Sequence, residues 1–494
     1  MKAWSRLLLL CWVSWGLHAC ATGPSRAELQ AQRDAAAARM LNDIEVLASD
    51  EFGGRRPGTP GGERTIAYLI ERMQNIGLQS GTNDPGSAWR APVELVSTRP
   101  LEHTITVRTG RRTEILPAEA SVAFSPSKRV LIDGVEVVFV GDGRHDIPAS
   151  EITGRIVVMT ELSAETAARD AIFSANPAAV LAVVPNAISL ERQRSRIARA
   201  RLRLASETSD RLTTFVTRAA FAKALPNGEW DRLIGTAGED DFVSEKLKAT
   251  IAIDVQTERR EFTSSNVIGL IPGQVRGSGA VFLMAHWDHL GECAPGTPDP
   301  ICNGAVDNAS GIALMLELAR RLKNSGPHDR DIYLLATSAE EAGLLGAKAF
   351  IESPPIPLEN IIAAFNFDSV AIAPRGRAVG FIGEGRTPLD EIIRTVVSER
   401  GVELGNREYA ESFLQRHDGW VLLERGVPSV LLSTAFASEI VLGPYLATDY
   451  HRPSDEAESL EMGGAVDDLL LHEELVKRIA STLSYPGAAT AATQ

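Results

Sequence analysis

An α/β fold is the class that this 494-residue chain predicts: a mixed, mostly parallel central sheet with helices on both faces, plus an inserted, smaller α/β module. Three observations carry the prediction. From Val267 onward, apolar strand-like runs alternate with amphipathic helical stretches, the pattern that crossover connections leave in parallel sheets. Between about Ala91 and Val255 the texture changes to short β-branched runs separated by turns. The length also exceeds what one hydrophobic core ordinarily serves, so two or three domains are expected.

Acidic residues outnumber basic ones, 64 to 50, for a formal net charge of −14. That balance argues against nucleic acid, and against an anionic membrane surface as the main ligand. The N-terminus has a different character. Lys2 and Arg6 precede the apolar run Leu7 to Trp15, and small residues lead to Cys20, which predicts a secretory signal peptide over residues 1–19. The run is too short to span a bilayer. Leu17-His18-Ala19-Cys20 resembles the lipobox of bacterial lipoproteins, so Cys20 is expected to carry lipid and to anchor the protein in the periplasm or cell envelope. Ordinary cleavage between Ala19 and Ala21 would instead release a free protein into the same compartment. With Cys11 and Cys20 set aside, Cys293 and Cys302 remain on one loop of an exported chain, which suggests a disulfide.

Residues 20–35 are small and polar and read as a tether. Apolar residues at helical spacing predict helices over Ala36 to Leu47 and Gly62 to Ile76. The glycine-rich loop between them carries Arg55 and Arg56, for which structural pairing is a better account than anion binding. In the module, strands are expected at Val135 to Val140, Arg155 to Met159 and Ala178 to Val184, with a helix at Ala164 to Ala175; it has no histidine after His145 and no phosphate loop, so a binding or lid role suits it. Beyond it, strands are predicted at Val267 to Ile271, Val281 to Ala285, Asp331 to Ser338, Ile361 to Phe367, Ala378 to Ile382 and Pro428 to Ser433. Helices are predicted after Ser310-Gly311 and over Leu344 to Ile351, Leu389 to Glu399, Gly419 to Arg425 and Leu460 to Leu483.

The chemistry gathers where these strands end. Val281 to Ala285 stops at His286, with Asp288 and His289 next, and a Gly/Pro-rich loop then leads to Asp307. Asp331 to Ser338 runs into Glu340 and Glu341, Ile361 to Phe367 into Asp368, and Tyr450 and His451 follow the last core strand. Any one such ending is only a strand meeting a polar loop. Together, two imidazoles and three carboxylates suit a pair of divalent ions with one bridging carboxylate. Such a pair polarises a scissile carbonyl and activates water at neutral pH.

The motifs AHWDH, NGAVDNASG, SAEEAGLLG, NFDSV and DYHRPSD, in this order, resemble those of the co-catalytic dizinc aminopeptidases, whose relatives include glutamate carboxypeptidase, the glutaminyl cyclases and the non-enzymatic transferrin receptor. The resemblance covers Asp43 to Gly77 and Asn266 to about Leu483. It implies a zinc-exopeptidase fold and two Zn2+ per chain, one held by His286 and Asp368 and the other by Glu341 and His451, with Asp307 bridging. It implies Glu340 as general base, Asp288 as the partner that orients His286, Tyr450 as an oxyanion donor, and a cis peptide at Asp307-Asn308. The inserted module resembles a protease-associated domain. The implied organisation is a signal peptide (1–19), a tether (20–35), an N-terminal part of the peptidase domain (36–90), the protease-associated-like insertion (91–255), the catalytic domain (256–485) and a flexible tail (486–494).

Two departures stand out. Where relatives often read Ser-Asp-His, this chain has Arg416-His417-Asp418, and its loop from His286 to Asp307 is longer than the simplest pattern. Removal of N-terminal amino acids from peptides is the activity expected. A carboxypeptidase for acidic C-terminal residues is the alternative, with Arg375, Arg377 or Arg407 as its basic pocket; one-zinc glutaminyl cyclisation and a non-enzymatic binding protein on the same fold remain further readings. No oligomeric state follows from the sequence.

Overall fold

The computed structural model describes residues 25–143, 145–160, 167–198, 201–207, 212–239 and 241–486. The expected signal peptide, the Cys20 anchor and all but the first residue of the expected tail lie outside the described residues.

Four parallel strands make the centre of the catalytic sheet: Ser429–Ser433, Ile361–Asn366, Ala280–His286 and Asp331–Thr337, in that spatial order. Antiparallel strands flank them, Gly380–Ile382 on one side and the end of the long strand Glu245–Ile271 on the other. Every residue of Ala280–His286 is buried, as a strand covered on both faces requires. One face packs against Arg26–Leu47, Pro60–Ile76, Gly311–Asn324 and Met462–Ile479, where Met40, Ile66, Met315 and Leu475 join the largest core. The other face is covered by Leu345–Glu352 and Gly419–Leu423, through Phe350 and Leu422.

Two long strands, Arg90–Thr109 and Glu245–Ile271, pair antiparallel and run out of this sheet to carry the inserted module. There Arg129–Phe139, Ile156–Met159, Ala179–Val184 and Thr213–Thr217 form a parallel set with its own core around Phe139, Leu181 and Trp230. The expected boundaries at 91 and 255 therefore fall inside continuous ladders instead of linkers. A register shift between Val255 and Thr257 is the local irregularity at that point.

The tether reading is corrected over residues 26–35, which belong to the helix Arg26–Leu47. Ser25 and Glu28 close a capping box at its start, and the alanine-rich stretch that follows favours helix over coil. Arg33 pairs with Asp467 on the C-terminal helix, docking the segment against the domain. Other boundaries shift by a few residues. The final helix spans Met462–Ile479, and the helix expected at Ala164 to Ala175 is described over Ala167–Ser174.

Candidate metal centre

In parallel order, the strands deliver their carboxyl ends to one edge of the sheet, where ligands bind in open α/β folds. His286 is the last residue of its strand, Glu340 and Glu341 follow Thr337 closely, and Asp368 lies two residues past Asn366. Asp307 comes from the loop before Gly311–Asn324, with a cis peptide bond to Asn308, and His451 from the turn after the helix Glu439–Thr448. Ala339, Ser369 and His451 hold positive φ of 55°, 52° and 60°. Non-glycine residues pay for that conformation and keep it where surroundings over-determine it, as at sites.

Two clusters of potential ligands result, His286 with Asp307 and Asp368, and His289 with Asp307 and Glu341. Asp307 is common to both. Its Oδ1 lies 3.3 Å from His286 Nε2, and its Oδ2 lies 3.2 Å from His451 Nε2. Glu341 Oε2 is 3.0 Å from the same His451 nitrogen, and Asp368 Oδ1 is 3.9 Å from His286 Nε2. His451 Nε2 stands this close to both carboxylates, so the nitrogen and the oxygens converge as ligands of a common ion would. Four carboxylates, Asp307, Glu340, Glu341 and Asp368, crowd this edge, and buried like charges need compensating cations. Divalent metal ions fit this donor set.

Electrostatics divides the carboxylates. Burial opposes ionisation of Asp307, but His286 and His451 against its two oxygens hold it well below the ordinary carboxylate range. Burial raises Glu340 well above that range, and the neighbouring Glu341, Asp418 and Asp368 add to the rise against an opposing His286. Glu340 is therefore the carboxylate suited to holding a proton. The Tyr450 phenol is lifted by burial and by Asp307, Glu341 and Asp368, which keeps it a proton-bearing donor; its ring stacks on His451 at 3.8 Å.

The orienting contact to His286 differs from the expectation. Its Nδ1 donates to the backbone carbonyl of Asp288 at 3.1 Å, while the Asp288 carboxylate stands 3.9 Å away and accepts from the Glu340 amide at 3.0 Å. Only Trp287 separates the pair in sequence, so the turn brings the carbonyl to the ring and frees the side chain for the neighbouring strand end.

Several supporting residues carried no catalytic or metal-binding role in the sequence reading, and Arg55 is structurally paired as that reading favoured. Arg55 is fully buried and donates to the carbonyls of Leu47, Trp287, Asn303, Gly304 and Asp307, tying both ends of the loop from His286 to Asp307 to the N-terminal segment. Asp455 accepts from the Val306 and Asp307 amides at 2.9 and 3.1 Å. Asn308 donates to Phe367 O and accepts from Ser369 N, which joins the loops of Asp307 and Asp368. Asp455 stood in a quoted motif, which was the available signal; Arg55 gave none beyond its glycine-rich loop. Thr337 donates to the buried Asp418.

A cleft opens from this edge. His286, Asp307, Glu340 and Asp368 line one end, and Ile382, Phe413, Leu431, Phe436, Leu442 and Leu446 make the other apolar. Arg416 also lines it, beside Tyr450. Arg375 bonds Gln30 and Arg407 bonds the Glu384 carbonyl, away from the cleft, and Arg377 is exposed and absent from its lining. The anticipated basic pocket is not formed by these three.

Residues 266–469 match the model of peptidase family M28. Aminopeptidase YwaD of Bacillus subtilis (strain 168) is 34% identical over 122 residues, 24% of this chain and 24% of the relative. Probable lipoprotein aminopeptidase LpqL of Mycobacterium tuberculosis is 24% identical over 373 residues, 73% of this chain and 63% of the relative. The matches thus span less than two-thirds of these relatives' own lengths. Among solved structures, the aminopeptidase from Aneurinibacillus sp. strain AM-1 aligns with a TM-score of 0.53 at 19% identity, over 89% of this chain and 93% of that one. At that identity the likeness is one of fold.

Proposed function

We propose, from the premise that residues 266–469 form a peptidase family M28 domain, that this chain is a zinc-dependent aminopeptidase releasing N-terminal amino acids from peptides. The observation that carries the reading is Asp307, whose two carboxylate oxygens face two different imidazoles, His286 and His451. His286 and Asp368 would hold one zinc ion, Glu341 and His451 the other, and Asp307 would bridge them. The ions supply Lewis-acid polarisation of the scissile carbonyl and of the attacking water. The protein's own groups do the rest. Glu340, raised by burial, takes the proton of the attacking water and returns it to the leaving amine. Asp288 positions both participants, His286 through its carbonyl and Glu340 through the amide that its carboxylate accepts. The Tyr450 phenol donates to the charge developing on the carbonyl oxygen.

The aminopeptidases among the relatives support the choice of terminus, and the apolar end of the cleft admits an aliphatic or aromatic first side chain. The test is metal analysis combined with a panel of dipeptides blocked at either end. We expect two zinc ions per chain, hydrolysis when the amine is free, and none when it is acylated. Cleavage of N-blocked, C-free peptides would turn the reading to a carboxypeptidase.

Export with a lipid on Cys20 belongs to the same proposal. It is supported by the lipobox-like sequence and by the lipoprotein named among the relatives. Among the described residues no helix is long and apolar enough to cross a membrane. Mass spectrometry of the mature N-terminus should find acylated Cys20 in membrane fractions, with Cys20→Ser released or unprocessed; an unmodified cysteine would remove the anchor.

A further inference from the structure

His289 belongs to the site but has no part in the scheme above. It is buried, three residues beyond His286, and its Nδ1 lies 2.6 Å from Glu341 Oε1. The other Glu341 oxygen faces His451 Nε2 at 3.0 Å, so the carboxylate is divided between two imidazoles. The space for the ring is built in. Gly304 has φ 62°, and a methyl there would lie 2.6 Å from His289 ring carbons, so a side chain at 304 would collide with the imidazole.

Two roles fit a histidine in this place: ligand through Nδ1, or hydrogen-bond donor through Nδ1–H. His289 Nε2 is buried with no partner in either case. A ligand at Nδ1 would put the ring proton on Nε2 and bury an unsatisfied N–H. A donor at Nδ1 leaves Nε2 as a bare acceptor, and buried acceptors without partners are tolerated better than buried donors. Nδ1 is also 4.0 Å from Asp307 Oδ2, against 3.2 Å for His451 Nε2, so His451 sits closer to the shared ligand.

We infer that His289 is a positioning residue for the second metal site: its Nδ1–H clamps one oxygen of Glu341 and presents the other, beside His451 and Asp307, to the ion. The inference rests on the two-zinc reading. It assigns Glu341 a single ligating oxygen, with orientation and basicity set by the clamp, as hydrogen-bonded carboxylate ligands generally are.

The test titrates zinc into the metal-free full-length protein by calorimetry, for wild type, His289→Ala and His289→Asn, with thermal unfolding of each metal-free variant as the measure of folding. Wild type should bind two ions. His289→Ala should leave the first binding step unchanged and weaken the second by roughly 10- to 100-fold, the usual size for such outer partners. His289→Asn, whose amide N–H can stand near the place of Nδ1–H, should recover much of that loss. Cobalt(II) in the second site of the Asn variant should keep its band positions, since the ligand set is unchanged. An unaltered second step in His289→Ala would overturn the inference, as would equal loss of both ions with a lowered unfolding temperature, or cobalt bands that report a lost nitrogen ligand. Fewer than two ions in wild type would bring down the two-zinc reading itself.

Discussion

Glu340 and Glu341 are neighbours in sequence with opposite surroundings. Glu341 faces two imidazoles that favour its ionised form, and Glu340 is buried among carboxylates with His286 alone opposing. One is built to ligate and the other to carry a proton, a division that environments impose on chemically identical groups. Glu340→Gln should therefore keep metal content near that of wild type while lowering kcat by about 10²- to 10⁴-fold, the range for a lost general base. Zinc analysis beside steady-state kinetics decides it, because loss of metal in this variant would make Glu340 a ligand. Arg55 illustrates another residue-level device. Burial lowers its guanidinium to about 10, still charged at neutral pH, and Asp307, Asp455 and Asp288 favour that charge. Beneath a carboxylate-rich site, a fixed cation that also satisfies five carbonyls stabilises the loop and the charges above it.

The loop from His286 to Asp307 contains a small ribbon in which Gly291–Glu292 pairs with Ile301–Cys302. Cys293 and Cys302 are disulfide-bonded, with Cα atoms 5.7 Å apart, as the spacing in an exported chain suggested. The ribbon lies on the N-terminal segment at Gly54, where a methyl would come within 2.4 Å of Cys302 O. Closing so short a loop is worth about 2.6 kcal/mol at most in the chain-entropy model. The larger effect is expected on the placement of Asp307, to which the same segment leads directly. Replacing both cysteines by serine should raise KM or speed thermal inactivation more than it changes metal content. Thiol titration of the unreduced, denatured wild type gives the direct check, because two free thiols would remove the bridge.

The molecule as a whole is held by helices on a sheet whose central strands are buried on both sides, and one titratable ring sits in that interface. His472, on Met462–Ile479, is buried with its ring edge-on to Phe365 and Phe367, and its Nδ1 donates to Asp468 O. Burial lowers it to about 4 from an ordinary 6.5. The folded protein thus favours the neutral ring, so the stability it contributes is complete above about pH 6.5 and is lost as pH falls toward 4. Relative to His472→Phe, wild type should lose about 2 kcal/mol of unfolding free energy between pH 7 and pH 5. Urea unfolding of both proteins at the two pH values measures the difference; parallel curves would mean the ring accepts a proton without penalty.

Local chemistry wrote much of this protein into its sequence. A parallel strand covered on both faces must be a continuous apolar run, and its end must emerge into a polar loop, so His286, Glu340, Glu341 and Asp368 were legible as strand endings, and the alternation of strands with helices gave the sheet. The same reading took residues 26–35 for a tether although the capping box of Ser25 and Glu28 and the alanine-rich stretch are local signals; only the docking of that helix, through Arg33 and Asp467 more than four hundred positions away, lies outside local sequence. Asp307 and His451 could be named in advance, but that Asp307 faces His286 and His451 through separate oxygens, and that Glu341 also faces His451, depends on strand order and loop docking. The contacts that Arg55, Asp455, Asn308 and His289 make with distant segments were decided by tertiary structure. Apart from local bonds such as Arg55 to Leu47 and Gly311 N to Asn308, their partners lie far away along the chain, and hydrogen bonds between distant segments leave no periodicity, spacing or composition from which to read them.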